Sequence, residues 1–444
     1  MGTPPVTADE MIRLCREHSL YSWSRQDAVE PLAVTGGEGA WFWTADGKRL
    51  LDFNSQTMSL TVGHGERRII DAMKAQLEIL PYAYPGAATE IRARAGQLIA
   101  SVLPGDLDVL FFTLGGSDAN ESAIKAARWA TGRHKILSRY RSYHGATTGA
   151  MQLTGDPRRW ATEPGPPGFI HVLDPEPYHF GFGATAAERT ARHLEYLDET
   201  IQMEGPDQIA AFFIETVTGT NGVLEAPEGW LRGVRALTER YGILLVCDEV
   251  MCGFGRTGRW FAFEREGILP DIVTMAKGLT SSYAPLGAMA LRRGLARVFD
   301  ERVFQTGLTY HAHPVSLAAA VANIEVLRDD GLVARAADLE RVMLEEMAAL
   351  TAAHPSVRGG RATGLFGMLD LQRDATGAPF GGFNVKHPLM HDLYERLLAE
   401  GVFAYVRWST VMVVPPLCIS EADLREGYAR IGRALDVMDA AFES

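Results

Sequence analysis

Three short segments carry residues whose types and placement could do chemistry. In "DIVTMAKGL", Lys277 directly follows an apolar run and precedes a glycine. A lysine there is poorly placed as a merely solvated charge. It is well placed to form an imine with a carbonyl group. In "LLVCDEV", Asp248 and Glu249 follow a second apolar run. Acids at that point are commonly caps or loop residues, yet a carboxylate there can also keep a pyridine-type ring nitrogen protonated, so that the ring accepts electrons. In "LFFTLGGSDANESAIKAAR", Gly115, Gly116 and Ser117 lie between an apolar run and a helical pattern. Small residues let backbone approach a phosphate, and helix N–H groups supply positive potential; a plain strand–turn–helix with a good cap reads the same. Each segment is weak alone. Their order and spacing are not.

These residues need a scaffold, and the flanking pattern predicts one. Short apolar runs at Val109–Thr113, Lys135–Ser138, Ile209–Ile214, Ile243–Cys247, Asp271–Met275 and Gly287–Leu291 read as strands. Helical periodicity at Ala119–Trp129 and Leu231–Tyr241 alternates with them, which argues for an α/β class with a largely parallel sheet. Ligands in such sheets bind at the carboxyl ends of strands. Earlier in the chain, helices are predicted at Ala8–His18, Arg67–Leu80 and Ala88–Val102, with a hairpin turning at Asp46-Gly47. After Pro314 come long helices, Val315–Arg328 and Leu332–Leu350, then strand–helix pieces ending in Ser420–Phe442. That region reads as a second, smaller lobe, completed by the N-terminal hairpin, which is too small to stand alone. The Pro- and Gly-rich stretch from Gly155 to Phe182 reads as a surface loop.

The bulk properties exclude several function classes. At 444 residues the chain exceeds the size of one core. The net charge of −12 argues against nucleic acid or an anionic membrane as main partner, and the basic pairs Arg158-Arg159 and Arg292-Arg293 read as solvated faces. No apolar run approaches the ~20 residues of a membrane span, and Met1 to Arg13 carries acids and lacks a signal-peptide core. Cys15, Cys247, Cys252 and Cys418 form no CxxC pair, and the histidines show no metal-ligand spacing, so a reduced, cytoplasmic protein without metal is expected. Gly253 to Gly258 matches GxGxxG, but five residues separate it from the strand and no clean helix follows. A nicotinamide or flavin dehydrogenase is therefore disfavoured.

The stretch "CDEVMCGFGRTGRWFAFEREGILPDIVTMAKGL" resembles the class III branch of the fold type I, pyridoxal 5'-phosphate-dependent aminotransferases, and the resemblance runs from about Trp41 to Phe442. It implies a large domain at 66–320 with a mostly parallel seven-stranded sheet flanked by helices, and a smaller α+β domain from 1–65 and 321–444. It implies that Gly116 and Ser117 hold the cofactor phosphate. Tyr143, in "SYHGAT", would stack on the pyridine ring beside Gly145, with Val250 on the opposite face. Glu215 would help position Asp248, Asp248 would pair with the ring nitrogen, and Lys277 would be the imine lysine. Thr309, in "GLTYHAHP", would reach the neighbouring subunit's cofactor phosphate, which implies a homodimer, and possibly a tetramer, with active sites at the interface.

Departures from the family pattern bear on substrate. Ala146 stands where the 4-aminobutyrate type has a carboxylate-binding arginine, and Thr220 stands where that type and the ornithine type have a glutamate. Arg407 matches the position of a mobile arginine that grips the acceptor carboxylate in ω-aminotransferases; a guanidinium can hold a carboxylate or sulfonate by two parallel hydrogen bonds. Trp23, Met58 and Tyr84 fall where the family lines its substrate pocket, partly across the dimer interface. "ETVTGTNG" and "LFGMLDLQRDATGAPFGGFN" look most like members handling taurine or other short ω-amino acids. The resemblance implies transfer of an amino group from an ω-amino acid or primary amine to a 2-oxo acid, with pyruvate favoured over 2-oxoglutarate, by a ping-pong cycle. An aminomutase or decarboxylating enzyme on the same fold is the alternative, and a non-catalytic binding protein would not need Lys277 and Asp248 together.

Overall fold

A computed structural model describes residues 6–178 and 180–443. Residues 1–5, the start of both the acidic N-terminus and the 1–65 segment, lie outside the described residues.

The centre is a seven-stranded sheet in the order Leu107–Thr113, Gly287–Arg292, Ile272–Met275, Leu244–Asp248, Ile209–Glu215, Lys135–Arg139 and Phe169–Val172. Only Gly287–Arg292 runs antiparallel to its neighbours. The inner strands are apolar on both faces because helices cover both sides; Ile209–Glu215 is buried at every position. Parallel pairing aligns Asp248 with Glu215 on one side and with Thr274 on the other. Register therefore brings three polar side chains from three strands to one carboxyl edge of the sheet.

Two smaller sheets flank this layer. Val34–Glu38, Trp41–Thr44 and Arg49–Asp52 form an antiparallel set whose outer strand pairs in parallel with Val402–Phe403, so the hairpin near the chain's start is completed by a strand from near its end. Val357–Thr363, Phe366–Leu371, Thr410–Val413 and Tyr405–Arg407 form the other. The helix Glu421–Asp439 packs onto this region with Leu424, Tyr428, Ile431, Leu435 and Met438 fully buried at helical spacing. Ser420 caps it by accepting the Asp423 N–H. No helix among the described residues is long and apolar enough to cross a membrane.

The sequence-based elements lie within a few residues of those observed, with two kinds of exception. The Gly155–Phe182 stretch is not simply a surface loop, because Phe169–Val172 forms the edge strand of the central sheet. The helix Ala186–Glu204 lies outside every segment read from the sequence. The GxGxxG stretch is a buried turn rather than a strand-to-helix cradle. Arg256 within it is 1% exposed and donates to the carbonyls of Leu365 and Pro415 and to Ser55 Oγ.

Candidate active site

A cavity of about 840 Å³ opens at the carboxyl edge of the central sheet and is lined by Gly116, Ser117, Tyr143, Gly145, Glu215, Asp248, Val250 and Lys277. Topology explains the gathering: Asp248 and Glu215 end adjacent parallel strands, Lys277 follows the next strand, and Gly116 opens the helix Gly116–Thr131 after the Leu107–Thr113 strand.

Asp248 is 3% exposed and fully engaged. Its Oδ2 accepts from Asn120 Nδ2 at 2.8 Å and lies 2.7 Å from His144 Nδ1, while its Oδ1 accepts the Val250 N–H at 3.0 Å. Asn120 is itself locked, donating to the His144 carbonyl at 2.7 Å and accepting from Thr274 Oγ1 at 2.8 Å. Glu215, expected to help position Asp248, instead accepts the N–H groups of Tyr143 (2.9 Å) and Gly219 (2.8 Å). It fixes the loop bearing Tyr143, and burial raises its carboxyl above the usual range. Asn120, His144 and the Val250 N–H hold Asp248, and Thr274 fixes Asn120 in turn.

Lys277 has φ +41, a left-handed conformation that a non-glycine residue adopts at a cost. Burial lowers its ammonium below the usual lysine range, against the opposing charges of Asp248 and Glu215. An amine so tuned is more easily deprotonated and hence nucleophilic.

At the far end of the cavity the chain segments lie too close together for added side chains. A Cβ on Gly116 would lie 2.9 Å from Val250 Cγ1, and Gly145 has φ +139 with a Cβ position 2.8 Å from Ser117 Cα. Ser117 Oγ accepts the Ala146 N–H at 3.1 Å, which joins the helix start to the Tyr143–Gly145 loop. The first N–H groups of a helix lack intrahelical acceptors and favour an anion. A small-residue cradle, a helix N-terminus, a buried amine and a buried carboxylate fit the phosphate, aldehyde and ring nitrogen of pyridoxal phosphate.

Other predicted residues sit elsewhere. Thr309 is exposed, and its carbonyl accepts from Tyr82 Oη at 2.8 Å; Tyr84 is 74% exposed. Within one chain neither lines the cavity. Met58 is buried in an apolar cluster with Val217, Cys252 and Phe366 rather than facing the cavity, although its neighbours Thr57 and Ser59 do line it. Trp23 meets the Tyr143 ring edge-on at 5.9 Å. Arg407 does not line the cavity; its Nη2 bonds Asp156 Oδ2 at 3.1 Å and its Nη1 bonds the Thr220 carbonyl at 3.2 Å.

The Arg158-Arg159 pair corrects the expectation of a solvated face. Arg158 is only 18% exposed, stacks on the Tyr143 ring at 3.7 Å and bonds Asp156 at 2.5 Å. Arg159 is 16% exposed. Asp156 thus pairs with Arg158 and Arg407 together; burial acts to raise its carboxyl, but hydrogen bonding and charge from Arg158, with the charge of Arg407, outweigh it and hold it low. Asn120, His144, Asp156 and Arg158 were missed as site residues. The available signals were a polar residue on the apolar face of a helix and a histidine beside Tyr143.

The family model of class III aminotransferases matches residues 22–435. An uncharacterized aminotransferase of Bacillus subtilis, YhxA, is 35% identical over 415 residues, covering 89% of this chain and 90% of its own. A taurine–pyruvate aminotransferase of Bilophila wadsworthia is 29% identical over 459 residues, covering 98% of each chain. The crystal structure of taurine:2-oxoglutarate aminotransferase from Bifidobacterium kashiwanohense, in complex with pyridoxal phosphate and glutamate, matches at TM-score 0.96 and 36% identity, over 99% of this chain and 100% of that one. With the match spanning nearly the whole chain, and a buried lysine and carboxylate lining one cavity, the chain belongs to the class III, pyridoxal phosphate-dependent aminotransferases of fold type I.

Proposed function

We propose that the enzyme moves an amino group from an ω-amino acid or primary amine, such as taurine or β-alanine, to a 2-oxo acid, with pyruvate the preferred acceptor, in a ping-pong cycle. The carrying observation is that Lys277 and Asp248 line one cavity, with Asp248 immobilised by Asn120 and His144. Pyridoxal phosphate, when bound, supplies the carbonyl that takes the amino group and a ring that withdraws electrons from the substrate carbon. Gly116, Ser117 and the helix start would hold its phosphate, Tyr143 and Val250 its ring faces, and Asp248 its ring nitrogen. Lys277 Nζ would be the group that holds the cofactor's carbonyl end and the base that would move a proton at the substrate carbon. Its lowered proton affinity suits both tasks.

Taurine-handling relatives support the donor class. Ala146 and Thr220, in place of the arginine and glutamate of the 4-aminobutyrate type, support a short acceptor, and Arg407 is the group proposed to grip its carboxylate. Homodimer formation, with Thr309 reaching the neighbouring subunit's cofactor phosphate, is supported by the exposure of Thr309, Tyr82, Tyr84 and Tyr310 on one chain. Division into a large lobe at 66–320 and a smaller one from 1–65 and 321–444 is supported by the pairing of Arg49–Asp52 with Val402–Phe403.

Lys277→Ala should abolish both turnover and the cofactor absorbance that depends on attachment to the lysine. A yellow, active variant would refute the assignment. Taurine, β-alanine, 4-aminobutyrate and an aryl-alkyl amine, each paired with pyruvate and with 2-oxoglutarate, test the substrate classes; stoichiometric oxo-acid product is required.

A further inference from the structure

Gln56, Thr57, Ser59 and Leu60 line the cavity from one short turn, Ser55–Met58 and its exit, and the backbone of that turn is strained. Ser55, Gln56 and Met58 hold φ of +44, +58 and +52, left-handed values that residues with side chains adopt at a cost. Such a run persists only where its neighbours over-determine it. Asp52 does so. It is 0% exposed, and it accepts the Asn54 N–H at 3.2 Å, the Gln56 N–H at 3.1 Å and Gln56 Nε2 at 2.9 Å. His64, which lines the cavity, sets its Nε2 3.0 Å from the same carboxylate. The other side of the turn is pinned too: Ser55 Oγ donates to the Val414 carbonyl at 2.6 Å and accepts from Arg256 Nη2 at 3.2 Å.

The turn decides which side chains meet a substrate. Held left-handed, it lines the cavity with Gln56, Thr57 and Ser59, beside His64, and buries Met58 at 5% exposure among Val217, Val223, Cys252 and Phe366. Relaxation to negative φ would redirect successive side chains, because side-chain direction follows the backbone. Met58, flexible and apolar, would then compete with its polar neighbours for the cavity face. We infer that Asp52 is a positioning residue for substrate choice: its carboxylate keeps the turn left-handed, so that a polar wall rather than Met58 faces the amino donor, and short polar donors are favoured over aryl-alkyl amines. The inference rests on the aminotransferase reading above and adds the group that sets the donor class. Asp52 itself does not line the cavity; it acts through the turn.

The test uses the holoenzyme with pyruvate as acceptor. For wild type, Asp52→Asn, Gln56→Ala, Gln56→Gly and Asp52→Asn combined with Gln56→Gly, kcat/KM is measured with β-alanine and with 1-phenylethylamine. Propanoate and 1-phenylethanol, which lack the reacting amine, are titrated by calorimetry to read the same preference without turnover. Asp52→Asn sets an amide NH2 among N–H donors, and the phenylethylamine:β-alanine ratio should rise about tenfold. Glycine takes φ +58 without strain, whereas alanine does not. Gln56→Ala should therefore exceed Gln56→Gly in this ratio by about threefold or more, although glycine leaves more room. Adding Gln56→Gly to Asp52→Asn should lower the ratio by at least about threefold, where simple widening of the cavity would raise it. Lost stability alone depresses both donors together and leaves the ratio unmoved. Should Asp52→Asn fail to fold, the comparison of alanine with glycine decides the question. An Asp52→Asn ratio within about threefold of wild type, a glycine variant at or above the alanine variant, or a wild type that prefers 1-phenylethylamine and 1-phenylethanol would each overturn the inference. Absence of amino transfer from both donors in wild type would instead overturn the proposed function, and the calorimetric ratios would still decide the role of Asp52.

Discussion

Replacing Asn120 by alanine removes a side chain that is 0% exposed and uses both ends of its amide. Three hydrogen bonds go with it: to the His144 carbonyl, to Asp248 Oδ2 and from Thr274 Oγ1, at 2.7, 2.8 and 2.8 Å. Asp248 keeps its contact with His144, so its charge is not stranded, but the His144 carbonyl and the Thr274 hydroxyl lose the partner that Asn120 provides. Each uncompensated buried polar group costs about 1–3 kcal/mol, and the two share one neighbourhood and will not add fully, so a loss of about 2–5 kcal/mol is expected. Asn120→Asp separates polarity from charge. It keeps the shape but sets a second carboxylate against Asp248 in a buried site, where the pair must share a proton. The folded-state affinity of that pair for a proton then exceeds the unfolded one. The penalty is therefore small at acidic pH, where the proton is in place, and grows as pH rises through the raised value. Urea unfolding of the holoenzyme at pH 5.5 and pH 8, for both variants, measures this directly, with cofactor affinity followed in parallel. A loss below about 1 kcal/mol for Asn120→Ala, or equal stability of Asn120→Asp at the two pH values, would show that the network around Asp248 is not what holds it.

Two further outcomes follow from other parts of the site. Gly145→Ala forces φ +139 on a residue with a side chain and drives its Cβ to 2.8 Å from Ser117 Cα; cofactor titration should show affinity weakened at least about tenfold, since the strain falls on the cradle itself. Glu249 is fully buried, and burial raises its carboxyl to about 7 despite hydrogen bonds from Thr216 Oγ1 and the Ala262 and Phe263 N–H groups. Between 4.5 and about 7 the folded state holds a proton that the unfolded state has released, so this group makes stability fall as pH rises across that window, by up to about 3 kcal/mol. Glu249→Gln should flatten the stability profile between pH 5 and 8, and an unchanged slope in urea unfolding would contradict the buried-acid account.

What could be read from sequence, and what could not, divides along a physical line. Lys277, Asp248 and Gly116 were legible because each lies at or just past the end of an apolar strand, and a parallel sheet delivers its strand ends to one edge whatever the strand order. Asn120 was not, since a polar residue on the buried side of a helix is silent until its neighbours from other strands are known. Asp156 and Arg158 were masked more actively, because a carboxylate two residues from an arginine pair reads as solvated surface. The four-residue strand Phe169–Val172 is hidden by the Pro and Gly that flank it, whereas the helix Ala186–Glu204 carries a legible start signal in its capping box, Thr185 and Glu188. The GxGxxG stretch shows the converse case, a motif whose sequence context already argued against its usual meaning. Its glycines serve packing, with Gly258 at φ +75 against Ala337, and the arginine between them is sealed beneath carbonyls. Strand ends thus disclose where chemistry occurs, while the groups that fix charge and specificity come from tertiary neighbours. Asp156 and Arg407, 251 residues apart in the chain, meet only through the tertiary fold, and no local pattern in the sequence could announce the pair.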